Sequence, residues 1–328
     1  MKLKLNSILK FIKANFAFSI TLANILLLIL LLFSKDPFGF FVKTYESSKP
    51  FLKPELSSIN KFTIEKTQLS NSKLEFNLKD ELWTVNYQGS EYPTDKERVE
   101  SLVKGFKNAK KFTAVSSSKE KNTEFGFNED EMKVEFFNNN NSIGSFLLGS
   151  ASKDGNSIHV KWLNEPEIYL VEENLKNYTS RGEVNYFLNK KISPPNLNTE
   201  DIQSIELISP SNSYQLSKSS AWYVEKPNKG LISNEDVNTT LNKLTSMNAD
   251  ELVIDKNSLN SLGSLNFEII FKYKKEQLIT EYRIKSYGYD KKTNSYYITK
   301  DKDPNVYKLS EYSIKSILDW KPEKQIKN

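Results

Sequence analysis

Trp83-Thr84-Val85 is written a second time as Trp222-Tyr223-Val224, 139 residues further on, and the correspondence continues downstream with almost no slippage. Val99, Val103 and Phe106 fall on Val237, Leu241 and Leu244, and Pro166 and Tyr169 fall on Pro304 and Tyr307, each 138 later. Phe125-Gly126-Phe127 answers Leu262-Gly263-Ser264. A period this long marks a tandem domain and not a solenoid repeat, because each copy is long enough to bury its own core. The duplication identifies an architecture and carries no reaction with it.

Each copy opens on a short apolar pattern, Ile59-x-x-Phe62-x-Ile64 and Ile202-x-x-Ile205-x-Leu207. Alternation follows, clearest in Leu74-Glu75-Phe76-Asn77-Leu78, and then the strand that carries the tryptophan. A helix comes next, its start marked by a capping box at Thr94-x-x-Glu97 and a weaker one at Ser233-x-x-Asp236. Val99, Leu102, Val103 and Phe106 make an apolar stripe at helical spacing, as do Val237, Leu241 and Leu244, so these helices cover a sheet. Strands are expected at 132–137, 143–148, 158–162 and 168–171, and again at 267–273, 278–284, 296–299 and 306–309. Turn residues such as Asp154-Gly155-Asn156 and Asp303-Pro304 separate them, and connections this short make the neighbours antiparallel. The fold class is therefore α+β: an N-terminal transmembrane helix followed by two tandem repeats, each a mainly antiparallel sheet with one covering helix.

Composition narrows the function classes. The chain has 328 residues, 20 Phe and 16 Tyr, enough apolar material for folded cores. Its pI near 8.9 looks basic, but Lys2, Lys4, Lys10 and Lys13 all precede the first acid, Asp36. The remaining 42 basic residues face 41 acidic ones, so the footprint of a nucleic-acid binder is missing and no nucleic acid is expected as a partner. Arginine is confined to Arg98, Arg181 and Arg283. With no cysteine there are no disulfides, no thiol nucleophile, no Cys-ligated metal and no lipoprotein cysteine.

Phe16 to Phe33 is a run whose only polar members are Ser19, Thr21 and Asn24. As a helix it covers about 27 Å, just enough to span a bilayer. A cleaved signal peptide is the alternative, but Ser34-Lys35-Asp36-Pro37-Phe38 lacks the small-x-small pattern of a cleavage site. The four lysines before the run keep the N-terminus in the cytoplasm and send the rest outside the cytoplasmic membrane, to the periplasm or cell surface. Ala14, Ala17, Thr21 and Asn24 recur on one stripe of this helix, a face on which a second membrane helix could pack closely and receive a hydrogen bond from Asn24. Phe38, Phe40, Phe41 and Tyr45 suit an interfacial aromatic belt. The expected layout is a basic cytoplasmic end at 1–15, the anchor at 16–33, a linker at 34–58, repeats at 59–192 and 201–320 joined by 193–200, and a tail at 321–328.

With the Trp strand, the capped helix, the Phe125-Gly126-Phe127 step, the strand ending Leu147-Leu148-Gly149 and the late strand Ile168-Tyr169-Leu170 in place, the chain resembles the bacterial domain of unknown function 4340 over roughly residues 59 to 320. The second copy departs from the pattern: Lys285-Ser286 replaces the Leu148-Gly149 ending and Ser264 replaces the apolar residue after Gly263, so loss of that feature is expected there. Members are associated with ABC-type export systems of the gliding-motility kind. The resemblance implies an accessory subunit beside an ABC permease that is driven by a separate ATPase.

The residues offer little chemistry of their own. His159 is the only histidine, which restricts any Ser-His-Asp triad to it and excludes a multi-His metal site; it aligns with Tyr297, as an ordinary strand residue would. Asp301-x-Asp303-x-Asn305 begins like a calcium loop, but Val306 stands where glycine is needed and Tyr312 where glutamate is needed. Glu129-Asp130-Glu131 and Glu172-Glu173 pair carboxylates that, on a strand, point to opposite faces. No phosphate-binding glycine pattern occurs, and no cofactor, metal or catalytic residue is expected. Tyr282, Tyr287, Tyr289, Tyr296 and Tyr297 gather near one hairpin of the second copy, where an aromatic surface could bind glycan or protein, or could simply form cross-strand pairs. The expectation is a non-enzymatic, membrane-anchored accessory subunit that binds partner proteins or cargo; the alternative is an envelope-binding module for glycan or peptidoglycan, independent of any transporter.

Overall fold

Alternating apolar residues on neighbouring strands build two sheets, each on its own core. The computed structural model describes residues 16–35, 59–128, 131–194, 197–254, 263–276 and 278–323. By compactness the chain divides into two units, Met1–Asn77 with Glu100–Gly182, and Leu78–Val99 with Glu183–Asn328. Helix α1 is Phe16–Lys35, its side chains described over 20–29, where all are exposed. Among the described residues no helix is long and apolar enough to cross a membrane. The basic end at 1–15, the linker over 36–58 with its aromatic belt, Glu129-Asp130, Pro195-Asn196 and the end of the tail lie outside the described residues.

The first sheet uses β1 (Lys61–Lys66), β2 (Leu74–Lys79), β3 (Leu82–Tyr87), β4 (Ser90–Pro93), then helix α2 (Lys96–Asn108), β5 (Lys111–Ser116), β6 (Met132–Asn138), β7 (Asn141–Ala151), β8 (Ser157–Trp162) and β9 (Ile168–Glu172). Their order across the sheet is β4-β3-β2-β1-β6-β7-β8-β9-β5. Phe62 and Phe76 are cross-strand partners whose rings stack at 4.3 Å and 8°. Such a pair contributes about 0.5–1.5 kcal/mol beyond the area it buries. Phe136 on β6 continues the row, with Phe106 of α2 edge-on to it at 5.0 Å and Phe146 of β7 at 6.3 Å. Val99, Leu102 and Phe106, at helical spacing, are fully buried. Two short helical turns follow β9, α3 (Lys176–Thr179) and α4 (Val184–Phe187).

The second sheet repeats the plan. It uses β10 (Ile202–Ile208), β11 (Ser213–Lys218), β12 (Trp222–Lys226), β13 (Gly230–Leu231), helix α5 (Asn234–Thr245), β14 (Glu251–Leu252), β15 (Leu265–Lys275), β16 (Leu278–Asp290), β17 (Ser295–Lys300) and β18 (Tyr307–Ser310), and helix α6 (Glu311–Leu318) ends it. The order, β13-β12-β11-β10-β15-β16-β17-β18-β14, is that of the first sheet with nine added to every number. The result is a two-domain, sheet-rich fold of two nine-stranded antiparallel sheets. Both tryptophans of the opening repeat are buried, as are Tyr214, Phe267, Phe271 and Tyr307. Helix α6 buries Ile314 and Ile317, and the Asn212 amide donates to the carbonyls of Leu318 and Trp320 at 2.9 and 2.8 Å, satisfying acceptors that a helix end leaves open.

Three local expectations shift. Helix α2 starts one residue later than the Thr94 box implies: Asp95 accepts the Arg98 N–H at 3.2 Å, while the Thr94 hydroxyl donates to the Trp83 carbonyl at 2.7 Å. In the second copy Ser233 caps as expected, accepting from the Glu235 N–H at 3.2 Å. Strand β16, expected to end at Ile284, runs to Asp290 because a bulge between Tyr287 and Tyr289 lets pairing with β17 continue.

The third shift concerns the glycine step. In the first copy the Ser150 N–H, inside a bulge of β7, donates to the Phe125 carbonyl at 2.7 Å. A Cβ on Gly149 would collide with that carbonyl oxygen, and one on Gly126 would meet the Ser150 nitrogen at 2.7 Å. The second copy re-forms the contact in place of the expected loss: Gly288, in the bulge of β16, donates to the Ser264 carbonyl at 3.2 Å and packs against Gly263. The glycine has moved along the strand with the bulge.

Candidate functional site

The hairpin strands β16 and β17 distribute the five tyrosines over three settings. Tyr287 and Tyr297 are cross-strand partners, half-buried, and the Lys308 ammonium stands 5.4 Å from the Tyr297 ring. Tyr289 and Tyr296 pair across the bulge with ring centroids 4.9 Å apart. Tyr296 is edge-on to the buried Phe267 at 5.3 Å, and the Tyr289 hydroxyl donates to Glu311 of α6 at 2.6 Å. That bond, foremost, pushes the Tyr289 hydroxyl up to about 12. Tyr282 is apart from both pairs.

Tyr282 belongs to a cavity of about 290 Å³ within the second unit, lined among others by Asn189, Lys191, Ser193, Lys300 and Asp303. Its hydroxyl donates to the Ile192 carbonyl at 2.9 Å, and the Lys300 ammonium donates to the preceding carbonyl, that of Lys191, at 2.6 Å. Lys300 also stands 3.3 Å from Asp303 and 4.5 Å from the Tyr307 ring centroid, while the Tyr307 hydroxyl donates to Asp303 at 2.8 Å. Burial pulls the Lys300 ammonium below the usual lysine range against the attraction of Asp303. Burial works to raise Asp303, but the Asn305 N–H, the Tyr307 hydroxyl and the Lys300 cation outweigh it and hold the carboxyl low. Tyr282 and Tyr307 are both pushed well up, by burial first and then by the carboxylates beside them. Each of these groups is engaged by another, so the arrangement acts as a clamp that reads two successive carbonyls of the segment 189–193. No sequence pattern announces it, since Lys300 and Lys191 are far apart in the chain and neither residue type is unusual.

The same contacts explain Asp301-x-Asp303-x-Asn305. Asp303 accepts from the Asn305 backbone and side chain at 2.9 and 2.8 Å as well as from Tyr307, and a lysine already occupies the position of a cation. The stretch is a turn. Among the described residues no group of three or more His, Asp or Glu side chains is placed to hold a metal ion. His159 has its Nδ1 2.9 Å from the Ser150 carbonyl and its ring 4.7 Å from Phe125, so it packs on the glycine step of the first copy. Glu173 accepts from the Tyr178 hydroxyl at 2.9 Å in the turn after β9, and Glu172 ends that strand.

Of the proposed helix-packing stripe, Thr21 and Asn24 are described and exposed on α1. Ala14 and the side chain of Ala17 lie outside the described residues.

Comparison with known proteins bears on the whole arrangement. The sequence model of the family described as Domain of unknown function (DUF4340) matches residues 83–264, from the repeated tryptophan of β3 to the second glycine step. No curated protein and no solved structure matches the chain. The match covers more than half of the 328 residues, and the chain belongs to the family described as Domain of unknown function (DUF4340).

Proposed function

We propose that this protein is a non-enzymatic accessory subunit of an ABC-type export system, held by its N-terminal helix in the cytoplasmic membrane with both sheet domains on the outer side. The observation that carries the reading is the apolar surface of α1: Ile20, Leu22, Ile25, Leu26, Leu27, Leu28 and Ile29 are all exposed along one helix. Apolar area left in water costs about 25 cal/mol per Å², and a bilayer removes that cost. The described side chains cover only part of this helix, and it is the apolar run Phe16 to Phe33 of the sequence that supports a span, covering about 27 Å as a helix. The tandem repeats, each a sheet with a covering helix, would then present edges and faces to partner proteins or cargo. The transporter itself enters through the family resemblance, with energy supplied by a separate ATPase. The small and polar stripe of Ala14, Ala17, Thr21 and Asn24 is the face offered to a permease helix.

The test is co-purification from mild detergent. Ala17→Leu and Asn24→Leu keep the helix apolar and remove the close-packing face, so the chain should stay in the membrane fraction while permease recovery drops. Unchanged recovery of the permease with both variants would contradict a role for the stripe, and recovery of no permease from the unsubstituted chain would contradict the accessory-subunit reading.

A second reading has one observation behind it. Tyr287 and Tyr297, partners on adjacent strands beside Lys308, place two half-buried aromatic side chains on one face of the hairpin, where a sugar ring could stack. An envelope-binding module would use it without a transporter, and binding of isolated peptidoglycan abolished by Tyr297→Ala would favour that reading.

A further inference from the structure

We infer that the tip of the β15–β16 hairpin inserts into the headgroup layer of an anionic lipid bilayer. Leu278 is 72% and Ile279 66% exposed, the highest values of any Leu or Ile described in the chain. Adjacent residues on a strand point to opposite faces, so each face of this hairpin end carries one exposed apolar side chain, with the exposed Glu276 in the turn beside them. Their cross-strand partners are Lys275 and Lys274, and Lys272 is exposed just behind them. Among the described residues neither Lys274 nor Lys275 has an ion-pair partner, whereas the nearby Glu281 is engaged by Arg283 and Lys272. The flanking strands stop short: the last pair with β10 is Ile202 with Tyr273, and the first with β17 is Ile284 with Lys300.

The first copy supplies an internal control. Its equivalent hairpin, β6–β7, turns through Asn138, Asn139, Asn140 and Asn141, with Asn139 and Asn140 at φ 47° and 70°. The positions equivalent to Leu278 and Ile279 are Asn141 and Ser142, so the same sheet order is built without apolar residues there and the fold does not require the leucine and isoleucine of the second copy. A flat protein surface would cover one side of such a ribbon. A lipid layer surrounds both, and lysine stems can lie along the apolar tip while the ammonium groups reach lipid phosphates. This inference rests on the reading that α1 keeps the chain beside a bilayer.

The chain has no cysteine, so Leu278→Cys gives a single attachment point for a nitrobenzoxadiazole probe, and Asn140→Cys gives the control. The labelled full-length chain is reconstituted into phosphatidylcholine vesicles with or without phosphatidylglycerol, and quenching by nitroxide-labelled lipid is read. Vesicle flotation, measured alongside, reports the anchor independently of the tip. The probe at 278 should be quenched strongly with phosphatidylglycerol and the probe at 140 should not. Lys274→Gln with Lys275→Gln should lower the bound-to-free ratio of the tip about thirtyfold, from about 1 kcal/mol per lysine near an anionic surface. Equal quenching at 278 and 140, or quenching at 278 indifferent to phosphatidylglycerol and to the lysines, would overturn the inference. A response only in native membranes that contain protein would assign the tip to a protein partner and overturn it as well. Chains that float with the tip in water overturn the tip alone; chains that do not float overturn the anchor and the tip together.

Discussion

The Lys300 ammonium donates to the Lys191 carbonyl across 2.6 Å, and the same ammonium is the counter-ion of Asp303. Lys300→Met keeps most of the apolar stem but strips Asp303 of its cation and leaves the Lys191 carbonyl without this donor. Leaving such largely buried groups unsatisfied costs about 2 kcal/mol. Tyr282→Phe, which frees the neighbouring Ile192 carbonyl, should cost about 1 kcal/mol. Urea unfolding of each variant, with the double variant losing less than the sum, would show the two side chains acting on one segment.

Tyrosines of the cavity set an alkaline limit on stability. Tyr282 and Tyr307 are held above the ordinary 10.0 in the folded state, so the unfolded chain gives up these protons first as pH climbs past that value. Their stabilisation is complete below pH 10.0 and declines above it. Lys300, held below its ordinary 10.5, works in the opposite sense over part of the window, one group against two. Asp303, held below 3.8, adds stability that is complete above that value and lost as pH falls below it. The urea midpoint should therefore decline as pH rises above about 10, and less steeply in Tyr307→Phe.

Two glycines with similar backbone angles should respond differently to alanine. Gly155 sits at φ +74° with nothing within 4 Å of a new Cβ, so Gly155→Ala carries only the left-handed backbone cost, about 1 kcal/mol. Gly126, at φ +75°, adds a collision with the Ser150 backbone, and Gly126→Ala should cost about 3 kcal/mol. Thermal unfolding that ranks them the other way would remove the glycine step as a structural constraint.

Tyr214 and Tyr307 make a second contrast. Both are fully buried, but the Tyr307 hydroxyl is bonded to Asp303, and that of Tyr214 has no hydrogen-bond partner among the described residues. Tyr307→Phe should destabilise by about 1–2 kcal/mol, whereas Tyr214→Phe should be neutral or stabilising, since it removes an unsatisfied buried group. Denaturant midpoints of the two variants decide it.

Much of the fold is legible in the sequence because strand alternation and a long internal period survive divergence. Leu74 to Leu78 and the paired strands after each helix fall where their apolar spacing puts them. The two-residue edge strands β13 and β14 are too short to show any period, and α6 offers only Ile314 and Ile317 as a buried stripe. Thr94 misleads because a threonine near a helix start can serve the preceding strand instead of the cap. Gly288 escapes a fixed-offset comparison because the bulge moves it along β16. The Lys300 clamp joins residues 109 apart in sequence and depends on common residue types, so only the folded chain brings it together.

The most direct test of the proposed function is crosslinking in intact cells, followed by purification through a C-terminal tag in mild detergent and identification of partners by mass spectrometry. An ABC permease should be recovered together with its ATPase, in amounts that fall with Ala17→Leu and Asn24→Leu. Recovery of envelope material alone, or of this chain alone, would contradict it and leave the envelope-binding reading in its place.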